Sequence, residues 1–290
     1  MNRASTLSAP VGLLPLSRPL MISEVLDAAV RLFRAGLVRC LPYSGLAVLL
    51  MLLPPLYSTF QGGGGLIVSF GARGSFGGIH GLHGFTDVHL VVLVVAVFAA
   101  ALFGMITLRL LAIAKGMRPS FRAEVSTTLR RWPAAVVASF AALAFPAMLF
   151  SAFAMFRIWY PTPLLLLVAV LLVFPSALFA VTLPAFWADR LGPFQAIVRA
   201  LRVSSRNLWR MTGAILATAG MVLTLWLLAV MLFFMVAPLL GTADLLLLEI
   251  VSSMFTLIWG AIGVPFVLAV LCVAYADLKL RAQQPRGAAP

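Results

Sequence analysis

Residues 88–108 read VHLVVLVVAVFAAALFGMITL, 21 consecutive residues with no formal charge and no proline. About 20 apolar residues carry a helix across the hydrocarbon of a bilayer. In lipid the backbone amides find no water, so a spanning segment either bonds within itself as a helix or closes into a barrel. Barrel strands alternate in polarity over segments of about 10 residues. This run does not alternate, so it reads as a transmembrane helix.

The same texture extends outward from it. The 290-residue chain is 63% hydrophobic and 10% charged, with a mean hydropathy of +1.10. A soluble domain carries about 25% charged residues. A soluble globular protein, a disordered chain and an ordinary nucleic-acid-binding domain are thereby excluded. Further spans are expected at about 40–57, 133–156, 163–187, 211–236 and 249–275, which makes six with 88–108. Residues 1–20 read as a cytoplasmic leader, 21–281 as a single six-helix membrane domain and 282–290 as a cytoplasmic tail.

Charge sets the orientation. Lys and Arg total 21 against 8 Asp and Glu, a formal net charge of +13. All but Arg73 and Arg157 of these basic residues fall in the leader, the first amphipathic stretch, the second-to-third and fourth-to-fifth connections, or the tail. Cytoplasmic segments carry the basic excess. Both termini are therefore expected in the cytoplasm, in a multi-pass protein of a bacterial inner (plasma) membrane. The positive charge then records sidedness, and nucleic acid is not an expected partner.

A basic amphipathic stretch precedes a hydrophobic hairpin three times. The first, ISEVLDAAVRLFRAGLVRC (22–40), places Ile22, Val25, Leu26, Ala29 and Phe33 on one face, and Asp27 stands four residues from Arg31. The second, FRAEVSTTLRRW (121–132), carries Phe121, Val125, Leu129 and Trp132. The third, FQAIVRALRVSSRNLWR (194–210), carries Phe194, Ile197, Val198, Leu201 and Leu208, with Arg199, Arg202, Arg206 and Arg210 on a second stripe. Apolar residues at such spacings make one helical face. The fold expected is thus all-α integral membrane, six transmembrane helices as three parallel repeats, each an interfacial amphipathic helix plus a hairpin. These helices serve either as anchors or as a site for anionic headgroups. Arg199, Arg202, Arg206 and Arg210 are the candidate contacts with a lipid headgroup or a partner.

Chemistry beyond this is sparse. His80, His83 and His89, with Asp87, lie in or beside a Gly-rich exterior loop over 58–87, but their spacing matches no recognised zinc pattern. Cys40 and Cys272 suggest no disulfide. Glu249, near Ser252, Ser253 and Thr256, reads as an interfacial carboxylate. Pro146, Pro175 and Pro265 fall mid-span and read as kinks. Gly213 and Ala217 allow close helix packing. No nucleophile–base set and no phosphate loop is visible, so no catalytic residue, metal or cofactor is expected.

Three segments carry a resemblance: RPLMISEVLDAAVRLFRAGL (18–37), LPAFWADRLGPFQAIVRALRVSSRNLWR (183–210) and VAYADLKLR (273–281), the last holding Tyr275, Asp277, Leu278 and Arg281. Together they resemble a bacterial integral membrane family similar to the membrane domain of glycerophosphoryl diester phosphodiesterase. The resemblance implies six spans in three hairpins. It does not carry phosphodiesterase activity, which in such enzymes belongs to a separate soluble domain. The expected function is a non-enzymatic inner-membrane module engaging anionic lipid of the cytoplasmic leaflet, or an unidentified membrane-protein partner. The alternative is a transporter or flippase-like permease for a small or lipidic substrate.

Overall fold

The computed structural model describes residues 14, 16, 18–60, 85–117, 120–159, 173–236 and 245–283. Within them all regular structure is helical: α1 (Ile22–Phe60), α2 (Phe85–Ala114), α3 (Phe121–Trp159), α4 (Thr182–Ala188), α5 (Pro193–Ser205), α6 (Leu208–Val236) and α7 (Leu245–Gln283), with a short helical stretch over 173–179 ahead of α4. Among the described residues, four stretches are long and apolar enough to cross a membrane: Ile22–Leu53, Val94–Ala114, Leu208–Leu232 and Ile250–Gln283. The protein is an all-helical, multi-span membrane protein.

Six spans in three repeats of interfacial helix plus hairpin is not what the chain builds. The first two amphipathic segments are not separate helices. Each runs unbroken into the apolar stretch after it, giving α1 and α3 39 residues apiece. The boundaries expected near 40 and 133 are absent, and the helices pass through Pro42 and Pro133. A proline removes one backbone bond and bends a helix, and membrane helices tolerate this because neighbours re-satisfy the freed carbonyl. At about 1.5 Å per residue such a helix is roughly 58 Å long, against about 30 Å of hydrocarbon. The basic ends overhang.

Only the third amphipathic segment stands apart, as α5. The helix ends in a turn over Arg206 and Asn207, and the Ser205 hydroxyl donates to the Arg202 carbonyl at 3.3 Å. The Asn207 amide donates to the Ser204 carbonyl at 3.0 Å, and the Asn207 carbonyl accepts from the Met211 amide at 3.0 Å to start α6. The span expected at 163–187 is not one helix over its described part. It breaks at Ala180–Val181. Pro184 is the reason: it has no N–H for the Ala180 carbonyl, and its ring collides with that carbonyl in a continuous helix. Of the expected prolines, Pro265 lies inside α7.

The core is built where α1, α2 and α7 meet. Phe33 meets Phe266 edge-on at 5.6 Å. The Ser44 hydroxyl donates to the Ala261 carbonyl at 2.7 Å, a polar tie between α1 and α7. Glycine lets these helices touch: a methyl group on Gly260 would lie 2.9 Å from both methyls of Val48. Close backbone approach through small residues is how helices associate where lipid is as apolar as leucine. Outside, Leu46, Leu53, Phe98, Phe140, Trp226 and Met231 face away from the protein. In water such a band would drive association; here hydrocarbon is its solvent.

Candidate functional site

The ionisable groups gather at one end of the bundle, where α1 begins, α2 ends, α3 begins, α4 leads through α5 into α6, and α7 ends. Three carboxylates organise that end. Glu124, near the start of α3, accepts both Arg109 Nε at 3.0 Å and Arg109 Nη2 at 2.7 Å from the last turns of α2. The Tyr43 hydroxyl donates to the same carboxylate at 3.0 Å. Its ring lies 4.6 Å beneath the Arg109 guanidinium and stacks on Phe121. Arg109 also donates to the Arg39 carbonyl at 2.5 Å. A bidentate Arg–carboxylate pair is strong and directional, so this cluster fixes α1, α2 and α3 against one another.

Asp277 is the second centre. Only 1% of it is exposed. It accepts Arg210 Nε at 3.0 Å, Arg281 Nε at 3.1 Å and the Leu20 amide at 2.7 Å, and Arg281 in turn donates to the Leu20 carbonyl at 2.9 Å. The chain just before α1 is thereby tied to the start of α6 and the end of α7.

Asp189 is the third. It follows α4 in a turn where Arg190 takes a left-handed conformation (φ 53°), one that costs an L-residue energy. Asp189 accepts Lys279 Nζ at 2.5 Å and the Tyr275 hydroxyl at 2.7 Å, with Arg199 Nε of α5 at 4.0 Å. Burial works to raise its pKa, but the hydrogen bonds from Lys279 and Tyr275 and the nearby Arg199 charge outweigh that and hold the carboxyl below its usual range.

The four arginines singled out from sequence divide. Arg210 is consumed by Asp277, and Arg199 leans toward Asp189. Arg202 and Arg206 are exposed, and neither forms an ion pair among the described residues. Nor do Asp27 and Arg31, both exposed. The large apolar residues of α5 face away from the protein. Ala196, Ala200, Val203 and Ser204 pack inward, while Phe194 is 74% exposed, Val198 53%, and Trp209 at the start of α6 78%. The start of α3 behaves alike: Glu124, Thr128 and Ala135 are buried, and Phe121, Leu129 and Trp132 are exposed. In α1 the apolar face does pack inside, through Val25, Ala29 and Leu32.

Sequence reasoning did not foresee the Tyr43–Arg109–Glu124 cluster. Its one signal was a tyrosine and an arginine at apolar-span boundaries. The closing Tyr275, Asp277, Leu278 and Arg281 pattern was visible, and every member of it is engaged. Tyr275 bonds to Asp189, Asp277 holds Arg210, Leu278 is buried in the core and Arg281 bonds to Asp277. Cys40 and Cys272 are free and buried. Among the described residues no group of three or more His, Cys, Asp or Glu could hold a metal ion. His80, His83, the tail from 284 and residues 1–13 of the leader lie outside the described residues.

No family model, no curated protein and no solved structure matches the chain. The likeness of the three motifs to the phosphodiesterase membrane domain rests on those residues alone.

Proposed function

We propose that this protein is a non-enzymatic module of a bacterial inner membrane, with both termini cytoplasmic, that engages anionic lipid headgroups at its charged end. The carrying observation is the outer surface of α5, where the exposed Phe194 and Val198 run beside the exposed Arg202 and Arg206 and lead to exposed Trp209. Tryptophan is enriched where hydrocarbon meets headgroups. A helix with apolar anchors on one stripe and arginines on the next fits that boundary. Arg199 and Arg210 are engaged inside the protein and serve to hold α5 and α6 in place, so headgroup binding falls to Arg202 and Arg206.

The test compares lipid preference in nanodiscs of mixed phosphatidylcholine and phosphatidylglycerol. The pair Arg202→Gln and Arg206→Gln is expected to lose about 1 kcal/mol per arginine of anionic-lipid preference, with folding intact. An unchanged lipid preference refutes the reading.

A further inference from the structure

A cavity of about 390 Å³ opens at the charged end, away from the outer stripe of α5. Its walls come from four elements: the last turn of α2, the end of α4, the closing turns of α7 and the leader. Its lining includes the polar residues Lys115, Lys279, Asp189 and Tyr275. It also includes the apolar residues Leu14, Leu16, Leu111 and Ala276.

The charges on the polar residues do not cancel. Asp189 is taken up by Lys279 and Tyr275, with Arg199 4.0 Å away. Lys115 is exposed and forms no ion pair among the described residues. Of the two lysines lining the cavity, Lys279 is paired with Asp189 and Lys115 is not, so an entering anion meets a free ammonium. The apolar lining is held in place and is not a chance contact. The Leu14 amide donates at 2.9 Å to the Ala114 carbonyl, one of the carbonyls a helix end leaves without an internal partner. Further along, Leu20 is bound on both its amide and its carbonyl by Asp277 and Arg281. Leu14 is thereby tied to the end of α2, and Leu20 to the end of α7.

Small-ligand sites are apolar clefts of about 300–1,000 Å³ with a few placed polar groups. This one is near the low end, room for one chain and not for a two-chain phospholipid. The geometry points to a binding site for a single-chain anionic amphiphile, its head on Lys115 and Lys279 and its chain against the leader leucines, Leu111 and Ala276. Carboxylate and phosphate monoester heads share this chemistry, because lysine binds either as a point charge.

The experiment uses the full chain in phosphatidylcholine nanodiscs, with empty nanodiscs as the background. The probes are dodecyl phosphate, dodecanoate, dodecanol and inorganic phosphate, and the readout is saturable binding by equilibrium dialysis. Dodecyl phosphate or dodecanoate is expected to saturate above background, and whichever binds tighter names the head. Dodecanol and inorganic phosphate are expected to bind at least about tenfold more weakly, the loss of one charge-assisted contact or of the chain. Lys115→Gln, at an exposed position, is expected to weaken the amphiphile about tenfold, Lys115→Arg to retain it, and Ala276→Phe to abolish it by filling the space. Arg130→Gln, at an exposed position on α3, is expected to bind as the parent does. Amphiphile binding equal to empty nanodiscs, inorganic phosphate binding as tightly as dodecyl phosphate, or Lys115→Gln binding unchanged would each overturn the site.

Discussion

The start of α1 and the whole of α5 have the same kind of sequence and opposite packing. Both are basic, both carry apolar residues at helical spacing, and both precede a span. In α1 the large apolar residues Val25 and Leu32 go into the core between α2 and α7. In α5 the alanines go in and Phe194 and Val198 stay out. The difference teaches that an apolar stripe says a helix has two kinds of surface, and not which one the protein claims. Water would force the larger residues inward. At a membrane boundary lipid accepts them, so the inner face is free to be chosen for close approach, and small residues win.

Asp277 joins the two regions, so its loss is expected to have the largest effect. It holds Leu20 just ahead of α1 and Arg210 just after α5. Asp277→Ala strands two arginines in a largely buried site. The expected cost is roughly 4 kcal/mol, typical of removing one partner of a buried pair. Denaturant unfolding in mild detergent measures it, and limited proteolysis should cut both the leader and the α5–α6 join. Protection of both sites at parental levels would show that the two regions are held independently.

A pair of truncations sharpens the contrast. Leu32→Ala in α1 removes a fully buried side chain and is expected to cost about 3 kcal/mol. Val198→Ala in α5 removes an outward one and is expected to stay within about 0.5 kcal/mol. Equal costs would mean that the apolar stripe of α5 is covered by protein.

The smallest effect is expected from acid. The pKa of Asp189 is lowered in the folded protein, so its contribution is present in full above the ordinary carboxylate range, about pH 3.9. It fades as pH falls through the lowered folded value. Hydrogen-exchange protection in α5 and the last turns of α7, corrected for the intrinsic rate at each pH, should therefore hold steady from about pH 8 to 5 and fall only in stronger acid. Asp189→Asn should remove that acid response from α5 while α1 is unchanged. An acid response that survives in Asp189→Asn would assign it to another carboxylate.

Much of this was legible in the residues themselves. Long uncharged runs such as 88–108 permit only helices in lipid, and the clustering of arginines at span ends marks one end of the bundle as charged. The break before α6 was not legible, because residues 194–210 read as one amphipathic helix that includes Leu208 and Arg210. Nor was the failure of 163–187 as one helix. Pro175 stands mid-span and reads as a kink. Pro184, close to the far end of the same run, is the residue that interrupts the helix, by denying the Ala180 carbonyl its donor.

Sequence alone determined that the chain is helical, lies in a membrane and carries its basic residues at span ends, because transfer energies act on each segment separately. Tertiary structure alone decided which carboxylate meets which cation. Leu20 and Asp277 stand 257 positions apart, Lys279 and Asp189 stand 90 apart, and Arg109 and Glu124 meet across a turn between two helices. Such pairs depend on where whole helices come to rest, and that is set by the fit of Gly260 on Val48 and of Phe33 on Phe266. The same packing decided that α1 turns its large residues inward and α5 turns them out, since a stripe has no direction until a neighbour or a lipid occupies one side.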